Sequence, residues 1–148
     1  MSDTVESIFL MIDSMMGNCT LDYNALQNAK IDTAFFDDYN NTRIVNSFLF
    51  NFSKLQDKIG AKLFKTVLYE LKEIDIFSLT MIDVLHKLET LNILENSEQW
   101  ERLREIRNIL AHEYPFDLEE RVENIALAME GFVELRKIYQ KIKEKINL

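Results

Sequence analysis

The sequence has few of the residues that interrupt or crosslink a chain. Its 148 residues include one cysteine, one proline and three glycines. The single cysteine, Cys19, excludes an internal disulfide, and no Cys/His spacing suggests a zinc site or another metal site. So little proline and glycine leaves too few turn residues for a many-stranded β fold. Because a lone cysteine cannot form an internal disulfide, we expect a protein of a reducing compartment, most simply the cytoplasm.

Basic residues and long apolar runs are also scarce. There are 17 Lys and Arg residues against 25 Asp and Glu residues, so the formal net charge is -8. This balance argues against a protein that coats nucleic acid non-specifically, because phosphate binding needs clustered basic residues. It leaves room for a local cationic cleft, because the field depends on where charges lie. Asp13 interrupts the apolar run 8–16, so we predict neither a signal peptide nor a membrane partner.

What is present favours helix. Hydrophobic residues make up 47% of the chain and charged residues 28%, as in a globular protein. Long stretches rich in Leu, Lys, Glu and Ile are typical of helices. The length suits one domain covering residues 1–148. We predict an all-α fold, an antiparallel bundle of four to six helices joined by short loops.

Apolar spacing and capping residues give the expected helix limits. A first helix should stop at Gly17-Asn18, and a second should cover about 21–36. A long helix should follow over about 39–72, with Gly60 marking a kink or a close helix crossing. The later helices should begin at Ser78 or Thr80, at Ser97 and at Asp117. Phe50 lies off the apolar stripe of the long helix, which makes it the best candidate for an interface.

The chemically richest stretch is 107–115, Arg-Asn-Ile-Leu-Ala-His-Glu-Tyr-Pro. We expect it to form the end of a helix that reaches Tyr114, because the residue before a proline disfavours helical geometry. In such a helix Asn108 and His112 share one face, and Arg107 and Tyr114 share a neighbouring face. The polar group is then displayed on the surface. The opposite side carries the apolar residues Leu103, Ile106 and Leu110.

The Arg107-x4-His112-x-Tyr114 spacing, with a polar residue directly after the arginine, resembles the signature of HEPN proteins. It is similar to the HepT-like toxin branch, whose members are also called nucleotidyltransferase substrate-binding proteins. The chain length, the predicted helices and the place of the motif before a last long helix agree with this. The resemblance implies a HEPN-like helical domain that forms a homodimer.

The resemblance also implies a metal-independent endoribonuclease that uses no cofactor. A ribose 2′-hydroxyl attacks the adjacent phosphorus, which gives a 2′,3′-cyclic phosphate (or a 3′-phosphate) and a free 5′-hydroxyl. His112 has a pKa suited to proton transfer near neutrality, and Arg107 offers a planar fork of donors to phosphate. Asn108 then orients His112 or holds a phosphate oxygen. Attack by the 2′-hydroxyl explains selectivity for RNA.

One histidine does not easily serve as acid and base on opposite sides of the phosphorus. Two motifs that meet across a two-fold axis would supply two histidines and two arginines to one composite site. The resemblance further implies that Tyr114 accepts adenylyl groups from a cognate minimal nucleotidyltransferase antitoxin. That modification adds bulk and negative charge beside Arg107, which should repel RNA phosphate.

Two other interpretations compete with the nuclease. In one, the chain is a non-catalytic substrate- or partner-binding subunit of a minimal nucleotidyltransferase, and Arg107 clamps a phosphate. In the other, it is a structural helical adaptor, because positive groups near a helix C-terminus are favoured by the backbone dipole alone. The adaptor predicts that Arg107 and His112 tolerate substitution.

Overall fold

Helices make up most of the residues that the computed structural model describes, which are 3–75, 78–111 and 117–146. The α-helices are α1 (Asp3–Gln27), α2 (Tyr39–Lys58), α3 (Phe64–Glu70), α4 (Met81–Thr90), α5 (Ser97–Leu110) and α6 (Leu118–Lys145). A 3₁₀ helix covers Thr33–Asp37, and a π-helical turn, Ile59–Leu63, joins α2 to α3 without a break. With α2 and α3 counted as one, the described residues form five α-helices and no strand. The all-α prediction is confirmed.

The continuous helix 39–70 runs through the centre of the core. Its apolar residues recur every three or four positions and are fully buried, as the sequence predicts: Phe48, Phe52, Leu55, Ile59, Leu63 and Val67. The predicted close crossing at Gly60 is confirmed. A Cβ on Gly60 would lie 2.8 Å from Cζ2 of Trp100 in α5, so only glycine allows this approach. Trp100 in turn packs edge-on against Phe64 with their ring centroids 4.5 Å apart.

Helices α1 and α6 are joined by a polar contact at one end of the core. The Tyr139 hydroxyl donates to a carboxylate oxygen of Asp13 at 2.7 Å and lies 3.3 Å from the carbonyl oxygen of Phe9. Lys143 Nζ lies 2.6 Å from the same Asp13 oxygen. Burial, and then the contact with Asp13, raise the pKa of Tyr139 above its ordinary value. The phenol therefore stays protonated and keeps donating.

The predicted stop of the first helix at Gly17-Asn18 is wrong. Helix α1 continues to Gln27, and Gly17 lies inside it with open space around its Cα. A glycine within a helix costs about 1 kcal/mol relative to alanine. Burial of Cys19, Tyr23 and Leu26 beyond it outweighs that cost. The predicted second helix over 21–36 is consequently wrong as well, because the end of α1 and the 3₁₀ helix divide it.

The later helix starts follow the predicted capping chemistry with one change. The Thr80 hydroxyl accepts from the Asp83 amide, and the Asp117 carboxylate accepts from the Glu119 amide. Helix α5 is capped by Asn96, one residue before the predicted Ser97.

Ser97 instead donates from its amide and its hydroxyl to Glu89 of α4. These hydrogen bonds lower the pKa of Glu89, because they favour the carboxylate form.

No helix in the described part of the chain has an apolar stretch long enough to cross a bilayer.

Candidate functional site

Arg107 forms the centre of the candidate site. It lies in the last turn of α5, and its side chain is 33% exposed. Its Nε and Nη2 each donate to one carboxylate oxygen of Asp57, both at 3.0 Å. This is the parallel two-bond geometry in which arginine binds carboxylates and phosphates. The pair joins α5 to α2 at a partly exposed surface.

The helix crossing at Gly60 explains why these two residues meet. The contact between Gly60 and Trp100 brings the continuous helix 39–70 and α5 together. Arg107 is seven residues after Trp100, so both side chains lie on the same face of α5. Asp57 is three residues before Gly60, about one turn back along α2. The long arginine side chain then reaches the carboxylate next to the crossing.

The contact with Asp57 fixes both the charge and the orientation of the guanidinium. Hydrogen bonding to Asp57, and then its negative charge, raise the pKa of Arg107. The guanidinium is therefore positively charged at any physiological pH. Asp57 occupies two of its five N–H donors, and no other described residue takes the remaining three.

Asn108, the predicted supporting residue, is exposed on α5 next to Arg107. Its side chain makes no hydrogen bond to another residue of the described ranges. His112 and Tyr114, the predicted proton carrier and modification site, lie outside the described residues. Helix α5 as described ends at Leu110, and its predicted end at Tyr114 lies outside the described residues. The expected alignment of Asn108 with His112 on one helix face stays a prediction, since His112 is not described.

A second arginine lies one turn before this position. Arg104 is exposed and binds Glu101 through Nη1, which lies 3.2 Å from both carboxylate oxygens. An exposed pair of this kind contributes at most about 1 kcal/mol to stability and is easily exchanged. Arg104 is therefore a paired cation one turn before Arg107 that is not fixed in place.

Asp57 is the site residue that the sequence does not reveal. It lies 50 positions before Arg107, and no local spacing relates the two. One signal was present, since Asp57 is the only acidic residue between Arg43 and Glu70. The helix 39–70 has five basic and two acidic residues, a net charge of +3 in a chain of net charge -8. Asp57 is therefore the single carboxylate among the basic residues of the segment 43–65.

The described residues contain no group of three or more His, Cys, Asp or Glu side chains placed to hold a metal ion. No family model, curated protein or solved structure matches the chain. The candidate site therefore rests on the Arg107–Asp57 contact and on the motif around it.

Proposed function

We propose that this protein is a metal-independent endoribonuclease toxin of the HepT-like type. It acts as a homodimer and is controlled by a cognate minimal nucleotidyltransferase antitoxin. The observation that carries the proposal is the Arg107–Asp57 contact. It holds a charged guanidinium at a partly exposed surface, five residues before His112 in the chain.

In the proposed reaction the ribose O2′ bonds to the adjacent phosphorus, and the bond from phosphorus to O5′ breaks. The proton of the 2′-hydroxyl passes to His112 of one protomer. The leaving O5′ takes a proton from His112 of the other protomer. Arg107 stabilises the negative charge that develops on the phosphoryl oxygens. Asn108 supports the site by a hydrogen bond to the substrate or to His112.

Asp57 serves as a positioning residue in this scheme. An arginine side chain has about 2 kcal/mol of rotamer entropy, and the two bonds to Asp57 remove that freedom before substrate arrives. Preorganised donors stabilise a transition state without reorganising during the reaction. A misplacement of about 1 Å can lower a rate by about 100-fold. We expect Asp57→Asn to lower kcat more than it changes KM, and Asp57→Glu to restore part of the rate.

The test is incubation of purified protein with RNA in EDTA, with the 2′,3′-cyclic phosphate ends as the readout. His112→Ala should abolish cleavage and the inhibition of growth without loss of the fold. The chain provides a matched control, because its only other histidine, His86, is exposed on α4. His86→Ala should cleave as the wild type does. Retained cleavage by His112→Ala would remove the proposal.

The alternative is the non-catalytic partner-binding subunit. One observation favours it, since Asp57 balances the charge of Arg107 and leaves the pair neutral. Such a pair can dock a polar loop of a nucleotidyltransferase. Inertness toward RNA in EDTA, together with tight binding of the nucleotidyltransferase, would support this function. Transfer of an adenylyl group to Tyr114, followed by mass spectrometry of the intact protein, tests the control step shared by both proposals.

A further inference from the structure

Phe50 is an exposed aromatic residue in a helix whose other phenylalanines are buried. Its side chain is 62% exposed, whereas Phe48 and Phe52 on either side are fully buried. Lys54 Nζ lies over the Phe50 ring, 5.5 Å from its centroid. The exposed ring therefore has a cation over one face, which leaves the opposite face for another planar group.

The surroundings of Phe50 on α2 are polar along the whole outward face. The positions three, four and seven residues away all carry polar or charged side chains: Arg43, Asn46, Ser47, Ser53, Lys54 and Asp57. We call Arg43, Phe50, Lys54 and Asp57 the α2 ridge, since their spacing places them on one helix face. The ridge spans about 21 Å at about 1.5 Å per residue. It ends at Asp57, the partner of Arg107, and so runs into the candidate site.

This composition disfavours a protein interface at Phe50. Interface cores are poor in lysine, and a stable interface buries about 800 Å² on each partner. Phe50, flanked by Arg43 and Lys54, offers no such apolar area. Because Asp57 is paired with Arg107, Arg43 and Lys54 leave the ridge positively charged, with Asp22 of α1 as a carboxylate nearby that accepts from Ser47. This charge favours a polyanion instead. Aromatic surfaces combined with cations that follow a backbone are how proteins bind single-stranded nucleic acid.

We propose that the α2 ridge binds single-stranded RNA beside the Arg107 site. One base stacks on Phe50, while Lys54 and Arg43 contact phosphates of the same strand. The strand then leads along α2 to the phosphate held by Arg107. A base within a duplex is already stacked on its neighbours, so the ridge selects unpaired RNA. This inference rests on the proposed function, because it names the form of RNA that the nuclease takes.

The experiment measures affinity apart from cleavage. Its probe is a fluorescent RNA of about ten nucleotides, within the usual range of single-strand sites, with 2′-O-methyl riboses that have no attacking hydroxyl. Phe50→Ala should raise Kd at least about fivefold and leave its salt dependence unchanged. Lys54→Ala should reduce the slope of log K against log salt by about 0.7, the value for one phosphate contact on a single strand.

Two variants control for the loss of exposed surface. Leu10→Ala removes an apolar side chain of α1 that is 72% exposed, and Lys30→Ala removes a lysine whose side chain is 90% exposed. Both should bind the probe as the wild type does. Phe50→Tyr keeps a stacking ring and should keep the affinity. Circular dichroism confirms that each variant is folded.

An unchanged Kd for Phe50→Ala, or no binding of the probe by the wild type, would contradict the proposal that the α2 ridge binds RNA. So would a change in oligomeric state as the only effect of Phe50→Ala, because Phe50 would then lie in an interface between copies. The two proposals fail separately. A wild type that binds through Phe50 but cleaves no RNA contradicts the nuclease alone. A wild type that cleaves RNA while Phe50→Ala binds as tightly contradicts the ridge alone.

Discussion

The crossing of the helix 39–70 and α5 at Gly60 gives a quantitative test of the structure. In Gly60→Ala the new Cβ would lie 2.8 Å from Cζ2 of Trp100, about 0.7 Å inside the ordinary contact distance of about 3.5 Å. Trp100 does not move aside easily, because it is 1% exposed and packs against Phe64. Overpacking of this kind costs about 1–3 kcal/mol. The gain in helix propensity offsets at most about 1 kcal/mol of it.

Gly17→Ala is the matched control for this substitution. Gly17 also lies inside a helix, but a Cβ there would have nothing within 4 Å. Only the helix propensity remains, so we expect stabilisation of about 0.5–1 kcal/mol. The two variants therefore change the free energy of unfolding in opposite directions.

Urea denaturation followed by circular dichroism measures both effects, and thermal melting gives a second reading. For a chain of this size each kcal/mol shifts Tm by about 2–4 °C. Gly60→Ala should melt below the wild type and Gly17→Ala above it. A Gly60→Ala protein as stable as Gly17→Ala would refute the close crossing, and with it the account of how Asp57 meets Arg107.

Two further predictions concern titrating groups. Burial raises the pKa of the Cys19 thiol to about 12, so at pH 8 iodoacetamide should modify it only through unfolding, at a rate that rises with urea; fast modification of the native protein would contradict its burial. The hydrogen bonds from Ser97 lower the pKa of Glu89 in the folded protein. The stabilisation that they give is therefore fully present above the ordinary glutamate pKa of 4.5, and it is lost as the pH falls through the lowered pKa of the folded state. Urea denaturation across that range should show Glu89→Gln with a weaker loss of stability in acid than the wild type, and identical pH profiles would disprove the contact.

Local chemistry explains which helices could be predicted from the sequence. The stripe of the helix 39–70 and the caps Thr80 and Asp117 depend on neighbours within a few residues. Gly17 misled the prediction for α1, since its stop signal is local whereas the burial of Tyr23 and Leu26 depends on other helices. Tertiary packing overrides intrinsic propensity in such cases.

The candidate site likewise contains residues that local sequence predicts and residues that depend on tertiary packing. The motif predicts Arg107 and Asn108 as site residues, and both lie at the end of α5. The role of Asp57 could not be predicted, because its contact with Arg107 depends on the Gly60–Trp100 crossing, which the residue types alone do not specify. The exposure of Phe50 also depends on which face of α2 the neighbouring helices cover.

The contact between Tyr139 and Asp13 has a consequence for synthesis on the ribosome. The two residues are 126 positions apart, so translation at about 5–20 residues per second separates them by about 6–25 seconds. Throughout that interval the Phe9 ring lacks the Tyr139 ring that stacks on it in the finished molecule. A nascent chain stalled before α6 thus exposes apolar surface of the kind that chaperones recognise. We expect quality control to degrade such a stalled chain.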